Sequence, residues 1–168
     1  MESSSSMSLA LLRIMQSVPS ALTFDLTPSR HVVRAAVYHL LQRQAVARRA
    51  IFGEVDSSVK SPGIVHERRQ HHREHVQIPL LLHPAEWKDD QICTLDGGPI
   101  VGISRDLSEQ GLGMAYDVEL PTDLVIVEFD LFAEGPLRLL LEVRWSRQRS
   151  PHDFLAGGEF CGLVTATR

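Results

Sequence analysis

The sequence is poor in cysteine and has no long apolar segment. Its two cysteines, Cys93 and Cys161, form no framework of spacings for disulfide bonds. No run approaches the roughly 18 apolar residues that a transmembrane helix needs. The apolar stretch Met7 to Met15 is short, is interrupted by Arg13 and has no basic residue before it, which argues against a signal peptide. These absences predict a cytoplasmic protein.

The sequence also lacks catalytic patterns. It contains no phosphate-binding loop and no serine in a glycine-elbow pattern. Four histidines are close in sequence, but no cysteine accompanies them, and zinc prefers three or four converging ligands with outer-shell support. These histidines are His66, His71, His72 and His75. We therefore predict a protein that is not an enzyme and that has no metal site and no catalytic cofactor.

A basic globular face is missing as well. The net charge of -4 at pH 7 hides an asymmetry, because residues 1–60 carry seven arginines or lysines against four acids. That segment is therefore +3, which leaves -7 for residues 61–168. An acidic domain of this kind disfavours general nucleic-acid binding. If it binds an anion, it must concentrate its few arginines in one place.

The first third of the chain predicts an extension before the main domain. Residues 1–27 form a leader, flexible apart from a short helix over Leu9 to Val18. Thr27 and Pro28 are typical of a helix cap and first turn, and residues 28–53 predict an amphipathic helix. Its apolar face can pack on the main domain or on a second copy, bind a partner protein, or lie on an anionic membrane. The stripe comprises Val33, Val37, Leu40, Leu41, Ala47 and Ile51.

The rest of the chain is rich in strand patterns. Residues 54–66 predict a linker, and residues 67–164 predict a small antiparallel β-barrel of five to seven strands. The fold class is thus mainly β with an N-terminal helical extension. The interval from Trp87 to Gly98 carries two turn signals, which indicate an enlarged hairpin loop or an extra strand. Predicted strands are Val76–Leu82, Ile100–Arg105, Gly111–Tyr116, Leu124–Phe132, Leu137–Trp145 and Gly158–Val164.

Two short motifs carry the functional signal. The first is an arginine cluster ahead of a predicted strand, formed by Arg68, Arg69 and Arg73. Guanidinium groups are planar and forked, so they suit phosphate oxygens and stack on flat bases. The second motif is a turn, Asp106-Leu107-Ser108-Glu109-Gln110-Gly111, with a carboxylate and a hydroxyl available to a ligand. A carboxylate can accept hydrogen bonds from guanine, so the two motifs together suggest a guanine nucleotide with phosphates.

At these residues the chain resembles the PilZ domain family, the bacterial receptor module for cyclic di-GMP. Arg69 and Arg73 match the family pattern RxxxR, and Arg68 resembles its preceding arginine. The turn matches (D/N)xSxxG through Asp106, Ser108 and Gly111. The resemblance implies that the arginines clamp phosphates and stack on guanine, that Asp106 binds the guanine edge, and that Ser108 contacts the ligand. For Gly111 it implies a structural role.

The resemblance leaves several functional readings open. The main one is a receptor that binds cyclic di-GMP, as one molecule or a stacked pair, and rearranges its linker and helix to signal to a downstream protein. The alternatives are an adaptor that binds no ligand, or a regulatory subunit of a polysaccharide-synthesis or motility machine. A homodimer is possible on the helix face. Trp145 and Phe160, at strand positions, are interpreted as core residues.

Overall fold

Apolar runs separated by turn residues form most of the strands, and each strand places successive side chains on opposite faces. The computed structural model describes residues 21–52, 73–131 and 134–167. Within these ranges the chain is mainly antiparallel β with one helix. The elements are β1 (Thr23–Thr27), α1 (Arg30–Phe52), β2 (Pro79–Lys88), β3 (Gln91–Thr94), β4 (Ile100–Leu107), β5 (Gly111–Tyr116), β6 (Leu124–Asp130), β7 (Pro136–Ser150) and β8 (Asp153–Ala166).

The strand pairings run in a ring. The order is β2, β4, β5, β8, β7 and β6, and β6 pairs again with β2, all antiparallel. Strand β2 is long enough to do this because its first part pairs with β4 and its centre with β6. Its last part forms a hairpin with β3, and β1 pairs with both β3 and β8.

The main hydrophobic core lies on the inner face of these strands. It contains fully buried Leu82, Leu112 and Phe129 together with residues from every strand of the ring. Helix α1 packs against this core through Val33, Val37 and Leu40, all at most 4% exposed. A second, smaller cluster lies where β1 and β3 cover part of the sheet. It consists of Phe24, Ala85, Ile92, Ile126, Leu140 and Val164.

The N-terminal part differs from the sequence prediction in two ways. Residues 23–27, predicted as part of a flexible leader, form strand β1. Five residues give too short an alternation to recognise, and the strand exists because β8 and β3 offer it two edges. The helix begins at Arg30, and Ser29 rather than Thr27 stands at its cap, with its Oγ 3.4 Å from the Val32 amide. The predicted helix over Leu9 to Val18 and the linker at 54–66 lie outside the described residues.

Several strands extend beyond their predicted bounds. The β7–β8 hairpin takes up most of the predicted loop from Gln148 to Asp153, because both strands continue to its tip. The interval between the two motifs holds the extra strand β3, one of the two expected alternatives. The predicted first strand begins only at Pro79. Before it, Val76 and Ile78 are held to β4 by hydrogen bonds with the side chain of Ser104. No described helix is long and apolar enough to cross a membrane.

Candidate functional site around the Asp106 turn

The Asp106 turn connects β4 to β5 and is built largely by one buried serine. Ser108 is 4% exposed, and its Oγ accepts hydrogen bonds from the amides of Gln110, at 3.3 Å, and Gly111, at 3.2 Å. Its own amide donates to the Gly111 carbonyl at 3.0 Å. This is the usual way in which a serine side chain replaces backbone partners in a turn. In this conformation the Ser108 hydroxyl shapes the turn, rather than pointing freely towards a ligand.

Gly111 allows the turn to rest on the neighbouring strand. A Cβ atom there would collide with the backbone carbonyl of Gly158 in β8. Next to it, the Phe160 amide donates to the Gln110 carbonyl at 2.7 Å. The turn is thus held by backbone contacts on two sides, and any larger residue at Gly111 would push it from the sheet. The structural role expected for Gly111 agrees with this close approach.

Arg73 and Asp106 form an ion pair although 33 positions separate them. Arg73 Nη1 donates to Asp106 Oδ1 at 2.7 Å, and the two side chains are 30% and 23% exposed. The backbone brings them together, because Glu74 and Leu107 exchange two hydrogen bonds of 2.9 Å. The structure therefore unites one residue of each sequence motif at a partly exposed position.

Buried Ser104 explains why the chain before β2 follows this course. Its Oγ donates to the Val76 carbonyl at 2.5 Å and accepts from the Ile78 amide at 2.8 Å. Its amide also donates to the Ile78 carbonyl at 2.9 Å. One fully buried hydroxyl thus satisfies the Val76 carbonyl and the Ile78 amide, which lie before the first residue of β2 and outside its backbone pairing with β4. The sequence analysis missed Ser104 because a serine in a strand gives no signal of a distant partner.

Two glycines keep the sheet face beside Asp106 flat. Asp106 pairs with Gly113 on β5, Gly113 with Gly157 on β8, and Gly157 with Trp145 on β7. These four positions form one row across four strands. A Cβ on Gly113 would lie 2.5 Å from Asp106 Oδ2, and one on Gly157 would lie 2.5 Å from Trp145 Nε1. The carboxylate therefore lies over Gly113 and the indole over Gly157, both on the same outer face of the sheet.

Trp145 corrects one interpretation from the sequence. It was assigned to the core, yet its side chain is 51% exposed, on the outer face of β7. A bulge between Val143 and Trp145 changes the register of β7 on β8, so counting from the buried Val143 does not give the orientation of the tryptophan. Phe160, also assigned to the core, is only half-buried and packs at its edge. The signal that could have found Trp145 is the pair of glycines facing it across the strands.

Helix α1 contacts the turn from the other side. Arg34 Nε lies 2.9 Å from Glu109 Oε2, with side chains 70% and 34% exposed. Cavities flank this ion pair, one of about 550 Å³ bordered by Tyr38, Glu74 and Ser108 and one of about 290 Å³ bordered by Gln110 and Phe160. One contact between helix and turn is therefore an exposed ion pair between two open spaces. Such a pair contributes about 0–1 kcal/mol to stability.

A second ion-paired cluster lies elsewhere on the sheet. Arg138 Nε donates to Glu128 Oε2 at 2.6 Å, and its guanidinium lies over the Phe24 ring, 5.7 Å from the centroid. His83 Nε2 is 3.4 Å from the same carboxylate oxygen but has no well-aligned hydrogen bond among the described groups. Burial lowers the pKa of His83 from its ordinary value, and the Glu128 charge opposes that shift. The burial effect is the larger one.

The predicted site residues are only partly described. Arg73, Asp106, Ser108 and Gly111 lie within one small region, whereas Arg68 and Arg69 lie outside the described residues. Of the four clustered histidines only His75 is described, and it is exposed. Among residues 21–52, 73–131 and 134–167, no three His, Cys, Asp or Glu side chains converge to hold a metal ion. A comparison with protein-family models and with curated proteins finds no match for this chain.

Proposed function

We propose that this protein is a receptor for cyclic di-GMP, with its ligand on the outer sheet face around Asp106. The observation that carries the proposal is the row from Asp106 to Trp145. It combines a carboxylate and an exposed indole, which lie over two buried glycines, with the ion-paired Arg73. Such an arrangement suits a flat base, because it offers an aromatic or guanidinium plane to stack on and a polar group at the edge.

Guanine fits the charge of this surface better than adenine does. Its Watson–Crick edge presents two adjacent N–H donors, and the Asp106 carboxylate accepts from both. Adenine offers one donor beside an acceptor nitrogen, which a carboxylate repels. Trp145 lies at the other end of the row, where the purine ring can stack on the exposed part of the indole. Base–aromatic stacking of this kind contributes about 1–3 kcal/mol per base.

Phosphate binding requires the arginines to change partners. In the structure the Arg73 guanidinium is neutralised by Asp106. When guanine donates its N–H groups to that carboxylate, Arg73 can turn one face of its fork to a ligand phosphate. Arg69 and Arg68, in the same sequence motif, would supply the remaining positive charge. The ligand thus replaces an internal ion pair with two charge-assisted contacts of its own.

A receptor also needs an element that reports the bound state. Helix α1 is suited to this because it touches the turn through the exposed Arg34–Glu109 pair between two cavities. Ligand binding that moves the turn would break this pair and change the surface that α1 and the turn present together. We propose that a downstream protein reads this change, that the protein has no catalytic activity, and that it acts in the cytoplasm.

The pairing order adds support for the finer fold. A ring of six strands that returns to β2 is compatible with a small PilZ-like barrel, and Arg73 meets Asp106 of the second motif beside β4. The adaptor without ligand and the regulatory subunit of a larger machine remain alternatives. The first of these would leave the Asp106 row unused, whereas the second would use the same nucleotide site.

Calorimetric titration of cyclic di-GMP tests the proposal. We expect saturable binding, with a stoichiometry that distinguishes one ligand from a stacked pair, and an affinity at least about 100-fold higher than for cyclic di-AMP. Asp106→Asn should severely weaken the binding, and so should Arg69→Ala. Asp153→Asn is the matched control, because that carboxylate is also exposed and paired with an arginine, at 2.8 Å. A folded wild-type protein without binding would overturn the receptor function.

A further inference from the structure

The outer sheet face carries an exposed apolar band beside the row from Asp106 to Trp145. Val101 is 67% and Ile103 is 38% exposed, both on β4. Ile103 pairs with Pro79 on one side and with Ala115 on the other, and Ala115 pairs with Leu155. Val101 pairs with Leu81. We define the β4 band as Pro79, Leu81, Val101, Ile103, Ala115 and Leu155.

The band is continuous because strand alternation places all its members on one face. Their sequence neighbours Leu80, Met114 and Phe154 point inward and belong to the main core. In the band itself Pro79 is exposed, and Leu81, Ala115 and Leu155 are half-buried. Adjacent strands lie about 4.8 Å apart, so the four strands β2, β4, β5 and β8 present one apolar surface. Contiguous exposed apolar surface of this kind marks interaction sites.

Two arginines border the band and indicate what it binds. Arg105, at the bulge of β4 between Ser104 and Asp106, and Arg147, opposite Leu155 on β7, are both exposed. Neither has an ion-pair partner in the described parts of the chain, whereas the nearby Arg144 and Arg149 are both paired. A cation left unpaired beside an apolar surface is available to a partner's carboxylate.

We infer that the β4 band is a docking surface for an acidic, amphipathic segment of another protein. The apolar side chains of that segment would cover Val101 and Ile103, and its carboxylates would pair with Arg105 and Arg147. A second copy fits less well, because two identical bands facing each other would bring the same unpaired arginines together. This inference does not depend on nucleotide binding, since the band lies beside the Asp106 row rather than within it.

Peptide selection tests the inference without any nucleotide. A display library of short random peptides is selected for binding to the wild-type protein, and peptides that also bind the Val101→Asp variant are removed. We expect the enriched peptides to combine apolar residues with Asp or Glu. In fluorescence anisotropy the synthesised peptides should bind Val101→Asp and Arg147→Glu at least about tenfold more weakly than wild type. Val46→Asp, an exposed position on α1 at 62%, should bind like wild type.

Two results would overturn the inference. One is enrichment of peptides without acidic residues, or of peptides that do not distinguish wild type from Val101→Asp. The other is a dimer in sedimentation velocity that Val101→Asp dissociates, which would make a second copy the occupant. Amide NMR spectra check that each variant folds. If Val101→Asp disturbs the strand, Ile103→Thr is the milder change in the same band, and it should also weaken peptide binding.

Discussion

Two arginine–carboxylate pairs on this protein are similar in distance and exposure and differ in their surroundings. Arg73–Asp106 spans 2.7 Å and Arg138–Glu128 spans 2.6 Å, with arginines 30% and 26% exposed. The first lies on the outer sheet face, with its carboxylate over Gly113. The second lies against the Phe24 ring and the half-buried His83. The two pairs therefore differ in the groups around them rather than in the distance between their charges.

The largest effect should come from filling the glycine beside Asp106. In Gly113→Ala the new Cβ would lie 2.5 Å from Asp106 Oδ2, so the carboxylate must leave its position. We expect the affinity for cyclic di-GMP to fall about 100-fold, which corresponds to about 2.7 kcal/mol. Isothermal titration measures this. In a double-mutant cycle with Asp106→Asn, the glycine change should cost almost nothing further, and an additive loss would contradict the shared mechanism.

The next effect separates the two pairs by stability. Arg138→Met removes the ion pair with Glu128 and the cation–π contact with Phe24, and it leaves Glu128 with only His83 beside it. We therefore expect a loss of about 2 kcal/mol of unfolding free energy. Arg73→Met, the same substitution in the open pair, should lose less than about 1 kcal/mol. Urea denaturation of both variants without ligand compares them directly. Equal losses would show that the surroundings do not distinguish the pairs.

A smaller effect should follow from truncating the exposed indole. Trp145→Ala removes the stacking surface while leaving the carboxylate, so affinity for cyclic di-GMP should fall about tenfold. Trp87→Ala is the control, because Trp87 is 54% exposed at the end of β2 and remote from the Asp106 row. Titration of both variants checks this. If both bind like wild type, the base does not lie on Trp145.

The smallest effect concerns pH. Burial lowers the pKa of His83 in the folded protein, so below its ordinary value of 6.5 the unfolded chain takes up the proton more readily. Stability should therefore be full above about pH 6.5 and fall as the pH decreases through the histidine range. His83→Gln should weaken this dependence, measured as the denaturation midpoint between pH 5 and pH 8. An unchanged slope would show that the Glu128 charge compensates for burial.

The sequence predicted individual elements and the residues of the two motifs better than it predicted the residues that surround them in the fold. The strand Gly111–Tyr116 has its predicted bounds, and the strand predicted from Leu124 to Phe132 is described from Leu124 to Asp130, because apolar runs between turn residues are local signals. Helix α1, Arg30–Phe52, covers most of the predicted range 28–53. Asp106 and Arg73 were selected as site residues, and the structure places them in contact. Trp145 was not selected, because a bulge in β7 reverses the orientation that alternation suggests.

The sequence by itself determined the mainly β class, the helix after Pro28 and the residue types of the candidate site, because turn chemistry and periodicity act over a few residues. Only the tertiary structure decided that Thr23–Thr27 is a strand, that Ser104 binds the backbone of Val76 and Ile78, and which face carries the β4 band. Each of these depends on partners that are distant in the chain: β1 needs the edges of β3 and β8, and the row from Asp106 to Trp145 needs four strands in one register. Such contacts leave no local pattern, since the residues that meet are fixed by pairing register rather than by sequence spacing.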